Sequence, residues 1–192
     1  IGGFSASTFK RGIRYINVST TLLGAVDAAT GGKTGIKFLG LKNEIGVFSP
    51  ADEVLINVDF FRSLDAPNLR SGYAEMVKHA LIDTREEWNE ILKFDLENPD
   101  FDKLATLVER SVRVKERVVE QDPTEKNIRK ALNLGHTSGH AFESIFFRQY
   151  RPVLPGYAVM WGLPCALYLS YVRLNFHKDD LLTLNYMIKE YL

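Results

Sequence analysis

The stretch RKALNLGHTSGHAFE, residues 129–143, says most about the fold of this chain. Within it, four polar side chains recur at steps of four, three and four: Arg129, Asn133, His136 and His140. On one continuous helix these side chains would form a single polar face. Gly135 interrupts the pattern, because a glycine inside a helical pattern favours a break. We therefore predict a helix from His136 to about Phe147 that carries the two histidines one turn apart.

The chemistry of this stretch favours a binding site. Two imidazoles one helical turn apart can face one cation or one phosphate, although capping or core histidines would show the same spacing. Half of the 4 histidines of the chain lie here, beside an arginine and an amide. A carboxylate from another helix, such as Glu75, would complete a mixed nitrogen and oxygen site suited to zinc. The other two histidines have no comparable cluster of polar residues near them in the sequence. We interpret His79 as structural and His177 as a surface residue.

Helical patterns dominate the sequence after residue 65. We predict helices that begin at residues 66–68, after Asp83-Thr84, at Phe101 (to about Val119), at Gly156 (to Leu174) and near Lys178. The first of these carries Glu75 and Lys78, which are three residues apart and share a face. That pair is either part of a site or an exposed ion pair. An exposed ion pair stabilises a protein by only about a few tenths of a kcal/mol.

The first 64 residues have a different texture, with many glycines and short apolar runs. Residues 4–11 resemble the end of a helix that Gly12 terminates, and residues 13–18 and 53–58 are typical of strands. The run GGKTG, residues 31–35, predicts a flexible turn. The pattern as a whole predicts the end of an α/β domain over residues 1–64, followed by an all-α domain over residues 65–192.

The same turn is a candidate anion site. Glycines let backbone N–H groups approach an anion, and Lys33 adds a positive charge near Asp27. It is not a P-loop, because that motif needs glycine at position 27. A solvated turn explains the run equally well. Lys42 and Asn43 follow in the same polar stretch and could belong to the same pocket.

Composition excludes several classes. The chain has 192 residues, 45% of them hydrophobic, and its 24 basic and 24 acidic residues balance, so we expect no nucleic-acid or membrane partner. No run approaches the roughly 20 apolar residues of a membrane span. The single cysteine, Cys165, suits a reducing, cytoplasmic location, and we interpret it as a buried apolar thiol. Because the sequence starts Ile1-Gly2-Gly3-Phe4 without methionine, we expect a fragment of a longer protein.

Several motifs in register carry a family resemblance. They are STTLLGAVDAATGGKTGIKF (residues 19–38), LKNEIG (41–46), GYAEMVKHAL (72–81), VKERVVEQDP (114–123) and RKALNLGHTSGHAFE (129–143). Over about residues 2–174 the chain resembles the 3-dehydroquinate synthases, which are sugar-phosphate cyclases. The resemblance implies the shikimate-pathway lyase that converts 3-deoxy-D-arabino-heptulosonate 7-phosphate into 3-dehydroquinate. It also implies transient use of NAD and a divalent metal, zinc or cobalt.

The resemblance assigns roles position by position. The metal ligands would include Glu75 and His136. The catalytic residues would be Lys78, Lys115, Arg129, Asn133 and His140. These five would also hold the substrate together with Arg11, Asp27 and Lys33, where Arg11 acts across the interface of a homodimer. The NAD-binding residues would be Thr20, Thr21, Asp27, Lys33, Lys42 and Asn43.

Three departures from the family pattern affect these expectations. Pro155 stands where the resemblance implies the third metal ligand, a histidine. We therefore predict that zinc is weakly held or needs a substitute ligand such as water. His140 is a less favoured substitute. Tyr157 replaces a usual glutamate, which we interpret as lineage variation. The segments expected before residue 1 and after residue 192 are missing, and we therefore expect the isolated chain to be inactive. Another sugar-phosphate cyclase and a non-catalytic remnant of the fold are the alternatives.

Overall fold

The computed structural model describes residues 1–39 and 41–191, with only the backbone described at residues 37 and 41–43. The helices are α1 (Gly2–Thr8), α2 (Ala66–Ile82), α3 (Arg85–Ile91), α4 (Phe101–Gln121), α5 (His136–Arg148), α6 (Pro155–Leu174) and α7 (Lys178–Tyr191). The strands are β1 (Ile16–Ser19), β2 (Lys33–Phe38), β3 (Leu41–Phe48) and β4 (Glu53–Ile56). Helix and strand order agree with the predicted division into an α/β part and an all-α part.

The strands form two small sheets. β1 and β4 pair in parallel, with Ile16 opposite Glu53 and Ser19 opposite Ile56. β2 and β3 form an antiparallel hairpin. The predicted strands at residues 13–18 and 53–58 are confirmed as β1 and β4. The predicted end of a helix before Gly12 is also confirmed, and this glycine has a φ of 114°.

The prediction of a turn over residues 31–35 is wrong in its second half. Only Gly31 and Gly32 turn the chain, with φ values of 106° and 65°. Lys33 already pairs with Phe48 in the hairpin, and Gly35 lies opposite Gly46. Glycines weaken a strand pattern because they offer no side chain to pack. The pairing of two glycines across the hairpin therefore hid β2 and β3 from sequence reasoning.

The helices of the second part begin where capping residues predict. Asp65 accepts a bond from the backbone N–H of Asn68 at 2.9 Å, which starts α2. Thr84 accepts from the N–H of Glu87 at 3.2 Å, which starts α3. Such caps satisfy N–H groups that have no partner within the helix. The predicted helices that begin at residues 66–68, at Phe101, at His136, at Gly156 and near Lys178 are all confirmed.

Helix α2 is the centre of the all-α part. Every residue from Ser71 to Ala80 is buried, and α3, α4 and α6 pack around it. Its apolar residues join the hydrophobic core with Leu104 and Leu163. The polar residues in the same stretch are therefore carried into the interior, where they need partners.

Helix α6 lies unusually close to its neighbours because of two glycines. The backbone N–H of Gly156 donates to Ser71 Oγ at 3.1 Å, and a Cβ at Gly156 would lie 1.9 Å from the Ser71 carbonyl oxygen. A Cβ at Gly162 would lie 1.9 Å from the carbonyl oxygen of Gly135. These approaches fix the start of α6 against α2 and its middle against the start of α5.

The prediction that Cys165 is buried is wrong, because its side chain is exposed on α6. Helix α6 is apolar around much of its circumference, so the sequence does not reveal which face is covered. Gly162, Leu163 and Leu167 face the neighbouring helices instead. Within the described part of the chain, no helix combines the length and apolar character that crossing a membrane requires.

Replacement of Gly156 tests this close packing. We expect Gly156→Ala to lower the free energy of unfolding by about 1–3 kcal/mol, because the added methyl group forces α6 away from α2. Urea denaturation followed by circular dichroism measures the change. Gly2→Ala is the matched control, since a Cβ there meets no atom within 4 Å. Equal stability of the two variants would contradict the packing described for α6.

Candidate active site

Helix α2 brings two charged side chains into the interior. Glu75 and Lys78 are 2% and 1% exposed, and the Lys78 ammonium contacts Glu75 Oε2. Removing one partner of such a buried pair leaves an uncompensated charge, which is strongly destabilising. The predicted alternative of an exposed ion pair is therefore wrong. The pair lies in the core at the edge of the candidate site.

The start of α5 brings a histidine to this pair. Gly135, with a φ of 79°, caps the start of α5 and separates it from the helical turn Ile128–Asn133, as its interrupting position predicted. The Nε2 atom of His136 lies 4.0 Å from Glu75 Oε1. Burial, followed by the charge of Lys78, lowers the pKa of His136, although Glu75 opposes the shift. The ring is therefore neutral near pH 7, which is the form that binds a metal ion.

A second charged pair joins the two parts of the chain. Asp27 lies in the helical turn Gly24–Ala28, and its Oδ1 atom is 2.7 Å from Lys115 Nζ on α4. The same ammonium group donates to the Asp27 carbonyl oxygen. Burial favours neutral Asp27, but the charges of Lys115 and Lys78 outweigh burial and lower its pKa to about 2. Burial also lowers the pKa of Lys115, against the attraction of Asp27.

Arg129, a predicted substrate-binding residue, is deeply buried, with 2% of its surface exposed. Its Nη1 donates to the Pro123 carbonyl at 2.6 Å, and its Nη2 donates to the Gly31 carbonyl at 2.8 Å. The guanidinium group also lies 5.7 Å from the ring centre of Phe48. It therefore connects the segment before α5 to the glycine turn and the hairpin.

The main cleft lies between the hairpin and α5. It has a volume of about 620 Å³, large enough for a phosphorylated seven-carbon sugar. The predicted residues that line it are Lys33, Asn133, His136 and His140. The imidazole of His140 is 63% exposed and lies edge-on to His136, with ring centres 5.7 Å apart. Lys33, which is distant in sequence, therefore shares one opening with three residues of the 129–143 stretch.

Sequence reasoning missed Glu125, which organises this cleft. Its carboxylate accepts a bond from Asn133 Nδ2 at 2.5 Å and contacts the Lys33 ammonium. Asp122 holds the preceding loop by accepting backbone N–H groups, including that of Arg129 at 3.2 Å. Glu125 itself has a φ of 59°, which is uncommon for a non-glycine residue. The available signal was an acidic residue between the predicted helix that begins at Phe101 and the predicted helix that begins at His136.

A second cleft, of about 490 Å³, adjoins the first. It is lined by Thr20 and Thr21 together with Asn17 and Ser19. Lys33 and Gly35 line both clefts, so the start of β2 is a shared wall. The two predicted threonines thus line the second cleft, and the start of strand β2 separates this cleft from the main cleft.

The remaining predicted residues are less informative. Arg11 is exposed, in the helical turn Phe9–Arg11 at the surface. Lys42 and Asn43 belong to β3, but their side chains lie outside the described part of the structure. His177 is exposed, as predicted, and His79 is buried, as expected of a structural residue.

Comparison with protein families accounts for the whole chain. The model "3-dehydroquinate synthase N-terminal" matches residues 1–71, and "3-dehydroquinate synthase C-terminal" matches residues 72–192. The chain belongs to the 3-dehydroquinate synthase family. This confirms the resemblance carried by the five motifs. The functional roles of the individual residues stay predictions.

Individual relatives agree with the family. A 3-dehydroquinate synthase of Parabacteroides distasonis is 54% identical over 191 residues, which is 100% of this chain and 54% of the relative. One from Dictyoglomus thermophilum is 42% identical over 88% of this chain and 48% of the relative. The chain therefore spans about half the length of these relatives.

Solved structures confirm the fold. A 2-epi-5-epi-valiolone synthase from Streptomyces hygroscopicus, with NAD⁺ and Zn²⁺ bound, has a TM-score of 0.80 and 27% identity over 96% of this chain and 53% of its own. A 2-deoxy-scyllo-inosose synthase has a TM-score of 0.86 and 24% identity over 98% of this chain and 51% of its own. At that identity, the second structure supports the fold alone.

The chain fits the family's divalent metal only in part. Glu75 and His136 converge, but Pro155 is the first residue of α6 and has no donor atom. Among the described residues, there is no group of three or more histidine, cysteine, aspartate or glutamate side chains placed to hold a metal ion. Proline at the first position of a helix has a suitable φ, so the fold tolerates the change. Two ligands alone do not make the four-coordinate site that zinc prefers.

Restoring the third ligand tests this assignment. We expect Pro155→His to bind one zinc ion at least about 100-fold more tightly than the unchanged chain. Residues that only hydrogen-bond to a metal ligand change metal affinity by about 10–100-fold, and a direct ligand contributes at least as much. Calorimetric titration measures both affinities. Pro155→Ala is the control, because it removes proline without adding a donor. Tight one-to-one binding by the unchanged chain would contradict the assignment and make His140 the first candidate ligand.

Acid titration tests the Asp27–Lys115 pair. The folded-state pKa of Asp27 lies below its ordinary value of 3.8, so its stabilising contribution is fully present above about pH 4. That contribution is lost as the pH falls through about 2. We expect the stability difference between the unchanged chain and Asp27→Asn to shrink over this range. Thermal unfolding at several pH values measures it, and a constant difference would contradict the pairing.

Proposed function

We propose that this chain forms the substrate- and metal-binding part of a 3-dehydroquinate synthase, together with an adjoining portion of its NAD-binding domain. The reaction is phosphate elimination from 3-deoxy-D-arabino-heptulosonate 7-phosphate and cyclisation to 3-dehydroquinate. The observation that carries this proposal is the main cleft, which gathers Lys33, Glu125, Asn133 and His140 next to the buried Glu75–Lys78 pair.

Lys33 gives the cleft one ammonium group for the carboxylate or the phosphate of the substrate, while Glu44 and Glu125 also line it. Lys33 contacts Glu125 at the edge of the cleft. An incoming anion competes with Glu125 for this ammonium group, so the carboxylate holds Lys33 in position until substrate arrives. Asn133, which bonds to the same carboxylate, offers a neutral donor and acceptor for a hydroxyl group. Charge-assisted bonds of this kind give both affinity and orientation.

His140 is the proposed proton carrier at the cleft. Its ring is accessible, and its Nδ1 atom lies 3.4 Å from Glu143 Oε2. A carboxylate beside one ring nitrogen favours the tautomer that leaves the other nitrogen as an acceptor. His140 can therefore accept a proton as the phosphate leaves, as general base catalysis requires.

The second cleft is the proposed site of the nicotinamide cofactor. Thr20 and Thr21 line it, and a Cβ at Gly24 would lie 2.8 Å from the hydroxyl oxygens of Ser19 and Thr21. The absence of a side chain at Gly24 thus leaves these hydroxyl groups room. NAD supplies a hydride acceptor that is regenerated later in the reaction. The shared wall formed by β2 lets Lys33 contact ligands in either cleft.

The other finer assignments are also proposals. A homodimer is supported by the exposed position of Arg11, whose family counterpart acts across an interface. A cytoplasmic location is supported by the single, exposed cysteine, which suits a reducing compartment. Zinc or cobalt as the metal is supported by the approach of His136 to Glu75.

A non-catalytic role is the second candidate, and Pro155 favours it because it removes a metal ligand. The buried polar groups of Glu75, Lys78 and Lys115 oppose it, because such groups destabilise a core that does not need them. Other sugar-phosphate cyclase activities are less favoured, since the 54% identical relative is a 3-dehydroquinate synthase.

A chimeric enzyme tests the proposed reaction. The matching half of the Parabacteroides distasonis relative would be replaced by this chain, with either Pro155 or Pro155→His. With NAD and Zn²⁺ or Co²⁺, we expect the Pro155→His chimera to release phosphate and form dehydroquinate. The chimera that keeps Pro155 should turn over much more slowly. The 192-residue chain alone should show no turnover. Phosphate assay and product chromatography measure the outcome.

Two controls make this test specific. The unchanged relative shows that the assay works, and glucose 6-phosphate and sedoheptulose 7-phosphate test the rival cyclase activities. A folded Pro155→His chimera without turnover would favour the non-catalytic remnant. Cyclised product from either rival sugar would replace the proposed substrate.

A further inference from the structure

His79 is completely buried in α2, one residue after Lys78. Its Nδ1 atom lies 2.8 Å from Ser111 Oγ on α4. Among the described residues, this is the one direct side-chain hydrogen bond between α2 and α4. The other ring nitrogen, Nε2, is shielded from solvent and has no hydrogen-bond partner in the described structure.

A small space adjoins this histidine. Its volume is about 10 Å³, close to the minimum of about 10–15 Å³ that a single water molecule needs. It is lined by residues of α2, α3 and α4, including Met76, Ile91 and Leu107. Its polar lining residues are His79, Ser111 and Glu87, so a water here can have the two or more partners that buried waters usually make.

The surroundings of His79 favour a neutral ring. Burial, followed by the charges of Lys78 and Lys115, lowers its pKa well below the ordinary value, and Asp27 only partly opposes this. A neutral imidazole has one donor and one acceptor nitrogen. Ser111 satisfies one of them, and the other requires a second partner, since a buried polar atom left unpaired is destabilising.

We propose that the space between α2, α3 and α4 is a built site for one ordered water molecule bonded to His79 Nε2, and that His79 is a positioning residue for Lys115. Ser111 precedes Lys115 by one turn of α4, so both lie on the same side of that helix. The His79–Ser111 bond fixes the rotation of α4 relative to α2. The water holds the imidazole in the plane that this bond needs.

Lys115 is where the positioning takes effect. Its ammonium group must reach two oxygen atoms of Asp27 across the boundary between the two parts of the chain. A small rotation of α4 would move it away from both. Any consequence for substrate binding rests on the proposed function, whereas the orientation of Lys115 on Asp27 can be measured without substrate.

Two substitutions separate the bonds of the two ring nitrogens. The amide of His79→Asn lies near the position of Nδ1 and can keep the bond to Ser111 without reaching the water. The longer His79→Gln reaches the position of Nε2 and can keep the water without the bond to Ser111. Ser111→Ala removes the bond between the helices and retains the imidazole.

Nuclear magnetic resonance of the 192-residue chain gives both measurements. We expect a cross peak between the His79 ring and a long-lived water in the unchanged chain, retained in Ser111→Ala and lost in His79→Asn. The signal of the Lys115 ammonium group is assigned by its loss in Lys115→Arg. We expect the hydrogen exchange of this group to accelerate severalfold in Ser111→Ala and His79→Gln but not in His79→Asn.

Two results would overturn this proposal. Absence of a water cross peak in the folded, unchanged chain would overturn the water site. Unchanged exchange at Lys115 in Ser111→Ala would overturn the positioning role, even if the His79 variants do not fold. Neither measurement depends on turnover, so failure of the proposed reaction is distinguishable from failure of this inference.

Discussion

The buried charge of α2 is the constraint on which the rest of this structure depends. Glu75 and Lys78 are removed from water together, in a helix segment that is buried on every side. Ionised groups in such a place persist only with close partners of opposite charge. The core therefore has to bring other charged and polar side chains to fixed positions around α2, and these positions coincide with the candidate site.

The second pair follows from the same constraint. Lys115 is buried near Lys78, and the repulsion between the two ammonium groups contributes to its lowered pKa. Asp27, from the other part of the chain, supplies the compensating charge. A requirement for neutrality in the core thus joins the glycine-rich α/β part to the helical part. The same contact places β2 and its Lys33 at the edge of the main cleft.

Close helix packing sets the position of the remaining site residues. Gly156 and Gly162 let α6 approach the backbone of α2 and of Gly135. Gly135 begins α5, and α5 carries His136 to Glu75. Pro155 lies directly before the first of these glycines, so a residue without a donor atom occupies a well-defined place. Close packing therefore fixes the backbone around the candidate site, and one of the three proposed ligand positions holds a proline.

Much of this architecture was predictable from the sequence. The cap at Asp83-Thr84 and the recurring apolar residues predicted helices, because these signals act within a few residues. The motif at residues 129–143 predicted that two histidines would lie one turn apart. The hairpin was not predictable, because Gly35 and Gly46 lack the side chains that strand patterns depend on. The exposure of Cys165 depends on which face of an apolar helix is covered.

The sequence by itself determined which residue types are available, the order and start of the helices, and the absence of a donor at position 155. Only the tertiary structure decided which of these residues meet. It turned Glu75 and Lys78 from a possible surface pair into a buried one, directed Arg129 to backbone carbonyls, and brought Glu125 to Lys33. The reason is physical: local signals fix backbone conformation, whereas burial and charge pairing depend on contacts between residues that are distant along the chain.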